Sequence, residues 1–163
     1  MTQVYVSVGS NIEKTANIRF AIRMLRRRYG VLTLSRIYES VAVGFDGGNF
    51  YNLVVGFDTQ SSAFSVIRSL HRLEKLRKRT RQGQKFISRT LDLDLLLYGN
   101  RITCRGRLRL PRDEISKYAF VLLPLAEIAP TQQQLLTKRQ YRSLWKAFDD
   151  SAQRLWPVRL RHY

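Results

Sequence analysis

Val4, Val6 and Val8 alternate with Gln3, Tyr5 and Ser7, the period-two pattern of a strand with one buried face, and Gly9-Ser10-Asn11 ends it in a turn. Over residues 16–29 the apolar positions Ile18, Ala21, Ile22, Leu25 and Tyr29 recur at helical spacing, and Gly30 supplies a stop. Residues 31–38 and 51–57 read as strands. The loop between them, 39–49, carries Gly44, Gly47 and Gly48, which permit unusual backbone angles. Ser61 and Ser62 offer caps for a second helix reaching to about Arg79, with Phe64, Ile67, Leu70, Leu73 and Leu76 as its expected buried stripe. A polar, mostly basic loop over 80–88 then leads into a strand over 90–98, broken at Gly99-Asn100.

Strand, helix, strand, strand, helix, strand is the order of a split βαβ unit. The predicted class is therefore α+β: a ferredoxin-like βαββαβ core with helices on one face of a mainly antiparallel sheet. A C-terminal extension follows. Residues 107–110 suggest a further short strand, Pro111 opens a turn, and 113–129 and 140–148 read as short helices, the first interrupted by Pro124. Neither a repeat nor an interdomain linker is visible, so residues 1–163 are expected to form one domain.

Composition narrows the setting. A chain of 163 residues with 44% hydrophobic content can bury a sizeable core. Cys104 is the single cysteine, which excludes an intrachain disulfide and leaves a cytoplasmic location as the expectation. No apolar run approaches a membrane span, and residues 1–10 lack the unbroken apolar stretch of a targeting segment. The net charge of +17 attracts polyanions of any kind, so it admits nucleic acid as a partner without selecting it. A solvated basic surface accounts for much of it equally well.

The most informative stretch is Arg89-Thr90-Leu91-Asp92-Leu93-Asp94-Leu95. On a strand, Asp92 and Asp94 point to one face with about 6 to 7 Å between their Cα atoms, and Leu91, Leu93 and Leu95 point to the other. Two adjacent carboxylates suit a hard divalent cation such as Mg²⁺, which itself bridges to substrate phosphates. They equally suit pairing with arginines on an exposed strand face. From Arg68 to Arg89 the chain places nine cations against one acid, Glu74, as a polyphosphate would require. The glycines of a P-loop are missing around Lys14-Thr15, zinc-ligand spacing is absent, and His71 reads as a surface or packing residue.

Gly9-Ser10-Asn11, Asn52, Glu74, Arg89-Thr90-Leu91-Asp92-Leu93-Asp94 and Pro124-Leu125-Ala126-Glu127-Ile128-Ala129-Pro130 together resemble, in order and spacing, the 6-hydroxymethyl-7,8-dihydropterin pyrophosphokinase family. The resemblance spans residues 1 to about 130, and its Arg-Thr-Leu-Asp-Leu-Asp element is the specific one. It implies transfer of diphosphate from ATP to a pterin alcohol in folate biosynthesis, with two Mg²⁺ ions on Asp92 and Asp94. It further implies Arg89, Arg79 and Arg81 as catalytic contacts to the polyphosphate, and Glu74, Leu95, Arg107 and Arg112 on the nucleotide side. Ser40, Val43, Phe50, Asn52, Phe86 and Phe120 fall at its pterin-pocket positions. A monomer is expected, and the 80–88 loop is expected to close over bound phosphates with Phe86 as its apolar plug.

The chain also departs from the family pattern. Phe86 stands for a loop tryptophan, Ile87-Ser88 for glycine-proline, Arg112 for a histidine, Tyr118 for an arginine, Lys78 for a glycine, and Ser40-Val41-Ala42 for threonine-proline-proline. Such changes fit either compensated catalysis or a divergent, catalytically weak paralogue that acts as a nucleotide-binding, nucleic-acid-binding or regulatory protein.

Overall fold

Strand β1 (Thr2–Ser10) runs between two antiparallel partners, with Val6 opposite Val55 of β4 (Phe50–Thr59) on one side and Leu95 of β5 (Asp92–Tyr98) on the other. The computed structural model describes residues 1–44, 46–78 and 91–161. Its main sheet has the order β5-β1-β4-β3-β8, where β3 is Ile37–Ser40 and β8 is Leu155–Val158, and β2 (Thr33–Leu34) also pairs with β4. All of these pairings are antiparallel. The expected α+β class and ferredoxin-like strand order are thus present.

Helices α1 (Lys14–Tyr29) and α2 (Ala63–Lys78) cover one face of the sheet. Val4, Val6 and Val8 of β1, with Leu93 and Leu95 of β5, meet Ile18, Ala21, Ile22 and Leu25 of α1 and Val66 and Leu70 of α2. Burial of such side chains contributes about 1.5–3 kcal/mol each, which makes this the main core. Gly30 ends α1 as expected, at φ 80°, with its N–H on the Arg26 carbonyl at 2.9 Å.

The second helix presents its expected face, with Leu70 buried and Ile67 and Leu73 packed against the core, but the two ends of the expected stripe fall outside it. Phe64 and Leu76 are exposed, because the line that meets the sheet is Ala63, Val66 and Leu70, and each of them lies about 100° or more around the helix from it. The expected strand over 31–38 is divided. Ser35 turns its hydroxyl to accept the Val54 N–H at 2.9 Å, separating β2 from β3.

A second layer covers the other face, so helices lie on both sides of the sheet rather than one. Here α3 (Glu114–Lys117), α4 (Ala119–Ile128) and α5 (Tyr141–Ala147) pack Ile115, Val121, Leu122, Leu125 and Tyr141 against Tyr5, Val54, Leu96 and Leu97. The break in the 113–129 segment falls at Tyr118, whose backbone is extended, and α4 continues through the buried Pro124. Two strands were not anticipated. Short β6 (Thr103–Arg105) pairs with β7 (Leu108–Leu110), which leaves Arg107 in the turn between them. Strand β8 hides its pattern because Trp156 and Pro157 are exposed on a sheet edge, where a residue without an N–H is tolerated.

The switch of faces along β5 is local. Its register against β1 shifts between Tyr5 and Val6, so that Leu96 is an extra residue. Leu93 and Leu95 therefore enter the α1–α2 core, while Leu96 and Leu97 belong to the opposite one.

Candidate active site

Asp92 and Asp94 are the first and third residues of β5, and alternation sends both away from the α1–α2 core. In register, Asp92 lies opposite Gly9 and Asp94 opposite Ser7. Across β1, Gly9 also lies opposite Asn52 of β4, so one row crossing three strands reads Asp92, Gly9, Asn52. Asn52 is buried and donates from Nδ2 to the Ser40 hydroxyl at 2.8 Å. A Cβ placed on Gly9 would come within 3.2 Å of the Asn52 Oδ1, so the glycine makes room for that amide. This gives Gly9 a structural reason that its turn position alone did not supply.

The row opens into a cavity of about 370 Å³. Its polar end carries Asp92, Asp94, Arg112 and Glu114. Its other walls are apolar: Phe50 with Val41 and Val43 on the β3–β4 side, and Leu96, Phe120 and Val121 on the helical side. Phe120 stacks on Tyr118 with centroids 5.0 Å apart and planes 13° from parallel. Such a slot, one end charged and the other lined by aromatic faces, accommodates a flat heterocycle next to an anionic group.

Arg112 joins the two ends. Its Nη2 lies 3.3 Å from the Asp94 Oδ1, its Nε donates to Glu114 at 3.0 Å, and its backbone N–H holds the Leu96 carbonyl at 3.1 Å. Glu74 approaches β5 from the other side, where its Oε1 accepts the Leu93 N–H at 2.9 Å. Burial pushes its carboxyl up to about 7, and the negative charges of Asp92 and Asp94 add to that rise.

A second group ties down the cavity rim. Lys14 bonds Glu39 at 2.6 Å, and Glu39 also accepts from Asn49 at 3.4 Å and from the Trp156 indole at 3.2 Å. The Lys14 hydrogen bond holds the Glu39 carboxyl below the usual range. These contacts fasten both ends of the 41–49 loop, next to Ser40 and Phe50.

Of the residues expected from the sequence, Ser40, Val43, Phe50, Asn52, Asp92, Asp94, Arg112 and Phe120 all line the one cavity. Two do not. Leu95 turns its side chain into the α1–α2 core, which follows from its alternation with Asp94, and cannot offer it to a nucleotide. Arg107 is an exposed turn residue away from the lining. Arg79, Arg81, Phe86, Arg89 and the 80–88 loop lie outside the described residues. Ser7, Leu96 and Glu114 were missed. Ser7 and Gly9 share the polar face of β1, and that alternation was the available signal; nothing in the sequence marked Glu114.

Among the described residues no cluster of three or more His, Cys, Asp or Glu side chains could cage a metal by itself. The partly exposed Asp92–Asp94 pair fits Mg²⁺ in another way, because that ion takes one or two carboxylates and fills its remaining positions with water and phosphate oxygens.

An α+β fold with paired strand carboxylates beside an aromatic cavity is the class defined so far. A family model described as 7,8-dihydro-6-hydroxymethylpterin-pyrophosphokinase matches residues 5–130. The chain is 34% identical over 134 residues to the 2-amino-4-hydroxy-6-hydroxymethyldihydropteridine pyrophosphokinase of Haemophilus influenzae, covering 79% of this chain and 82% of that one. It is also 34% identical to the protein of the same description from Pseudomonas aeruginosa, over 78% of this chain and 81% of the other. The chain belongs to the 7,8-dihydro-6-hydroxymethylpterin-pyrophosphokinase family, a family of enzymes. Among solved structures, Plasmodium falciparum HPPK-DHPS with pteroate shares the fold, with a TM-score of 0.75, 13% identity and 90% of this chain covered. This chain spans only 42% of that longer protein. No helix of the described residues is long and apolar enough to cross a membrane.

Proposed function

We propose that this chain transfers diphosphate from ATP to the hydroxymethyl oxygen of 6-hydroxymethyl-7,8-dihydropterin, releasing AMP, as a cytoplasmic, monomeric, single-domain enzyme of folate biosynthesis. The observation that carries the reading is the opening of Asp92 and Asp94 into the same cavity as Asn52, Phe50 and Phe120. A reduced pterin would lie with its ring in the apolar half, between Phe50 and Phe120. Asn52, oriented by Ser40, would exchange hydrogen bonds with the edge of the heterocycle. That pose directs the hydroxymethyl group to the aspartate end.

ATP would extend its phosphates along the charged end. Two Mg²⁺ ions held by Asp92 and Asp94 would neutralise phosphate charge and acidify the attacking hydroxyl. The pterin oxygen bonds to the β-phosphorus, the bond from that phosphorus to the α–β bridging oxygen breaks, and the electron pair leaves on AMP. Asp94 is a candidate acceptor for the hydroxyl proton. Arg112, placed on Asp94 and Glu114 in the free protein, can turn its guanidinium to phosphate oxygens, and Arg79, Arg81 and Arg89 are proposed to share that task. Glu74 acts indirectly, by fixing the Leu93 backbone between the two aspartates. Positioning and charge stabilisation suffice, and no covalent enzyme intermediate is required.

The test is AMP formation from ATP and Mg²⁺ with and without the reduced pterin. Pterin-dependent AMP supports the reading; none above background favours the binding-only or regulatory descendant.

A further inference from the structure

The charge of this molecule is concentrated on the layer that faces away from the cavity. Helix α1 carries six cations and no carboxylate, and α2 carries five cations and one carboxylate, Glu74, which is turned to the sheet edge. Arg19, Arg23, Arg26 and Arg27 are all exposed, and among the described residues no carboxylate pairs with any of them. At 100° per residue they fall within an arc of about 100° on α1, turned away from its buried stripe. Beside them a groove of about 720 Å³ runs to Arg77 of α2, which lies over the Phe20 ring at 5.1 Å and bonds Asn17 at 2.5 Å. Exposed Arg68, Arg72 and Lys75 extend the surface across α2.

We propose that this α1–α2 plate is a sequence-independent binding surface for the phosphate backbone of double-stranded nucleic acid. Arg19 to Arg27 span about 12 Å along the helix, and each strand of a duplex presents one charge per about 3.4 Å of axis, so the stripe matches about four phosphates of one strand. The cations of α1 are five arginines and one lysine, and the guanidinium fork matches phosphate oxygens in pairs. A membrane surface fits less well, because an interfacial helix must insert its apolar face. That of α1 is already spent in the core through Ile18, Ala21, Ile22 and Leu25. Single strands are bound by exposed stacking aromatics, and among the described residues of this layer Phe64 is the one aromatic that is strongly exposed, at 56%. Since the plate and the cavity lie on opposite faces of the sheet, a bound duplex leaves the substrate site open.

The experiment is fluorescence anisotropy with a 24-base-pair DNA duplex between 50 and 200 mM salt. If about four phosphates are contacted, the wild-type affinity falls on the order of 10²-fold across that range. Substituting Arg23→Gln, Arg26→Gln and Arg27→Gln together should weaken binding at least tenfold at 50 mM and reduce the log–log salt slope by about 3. The same three positions changed to Lys should keep the slope. Arg101→Gln, Arg105→Gln and Arg139→Gln together, a charge-matched control, should lose less than threefold. AMP formation should be the same in all of them. Absence of duplex binding at 50 mM, or equal losses in plate and control variants, overturns the proposal. So does plate-dependent binding to vesicles of 30% phosphatidylserine without duplex binding, which assigns the plate to a membrane.

Discussion

The Arg112 guanidinium lies 3.3 Å from the Asp94 carboxylate at the polar end of the cavity, and 3.0 Å from Glu114. In the free protein it offsets part of the charge that Asp92 and Asp94 place on one face. When ATP enters, the same cation is within reach of the phosphates. Arg112→Gln should therefore raise the KM for ATP about tenfold, a change of about 1.4 kcal/mol, with a smaller effect on the KM for the pterin. Steady-state kinetics with each substrate varied in turn measures the split.

Gly9 separates Asp92 from Asn52, and Gly9→Ala would press a methyl group against the Asn52 Oδ1. Displacement of that amide should loosen its bond to Ser40 and weaken pterin binding about tenfold while leaving ATP binding nearly unchanged. Calorimetric titration of each ligand separately distinguishes the two effects.

Glu74 links stability to pH. Its carboxyl is raised from 4.5 to about 7 in the folded protein, so between those values the native state binds more protons than the unfolded one. The stability it contributes is fully present below pH 4.5 and is lost as pH rises through 7. In the metal-free protein, Glu74→Gln keeps an acceptor for the Leu93 N–H and removes this dependence. Thermal melts of the two proteins from pH 4.5 to 8 should diverge, with the variant relatively more stable at the alkaline end.

Much of this was legible in the chain because strand alternation is a strict rule. The period of two placed Asp92 and Asp94 together and opposed them to Leu93, and it held because one face of β5 is buried. The helix period was less decisive for α2. Phe64 and Leu76 extend the apolar stripe in sequence, yet they flank the sector of Val66, Ile67, Leu70 and Leu73 that the sheet covers. The bulge at Leu96, the pairing of β8 with β3 and the Glu39 network join residues far apart in the chain, so no local pattern announces them. Arg112 reaches Asp94 in the same way, across a tertiary contact, and Glu114 joins the polar end by holding Arg112.

Phe120, stacked on Tyr118, forms one apolar wall of the cavity, and Phe120→Ala should remove a stacking face worth about 1 kcal/mol beyond its area. The KM for the pterin should rise fivefold or more. The melting temperature should fall by only a few degrees, because Phe120 is half-buried at the edge of its core. Kinetics and a thermal melt on the same preparation check both.

The central claim is that the two β5 aspartates carry the reaction, and it is tested most directly by AMP release from ATP, Mg²⁺ and reduced pterin in Asp92→Asn and Asp94→Asn beside the wild type. Both substitutions are isosteric; they relieve the repulsion between the two carboxylates and, at Asp94, give up the ion pair with Arg112, so the folds should melt within a few degrees of the wild-type temperature. The account predicts pterin-dependent AMP release in the wild type and a loss of about 10³-fold or more in each variant. Activity within tenfold of wild type in either variant would contradict it.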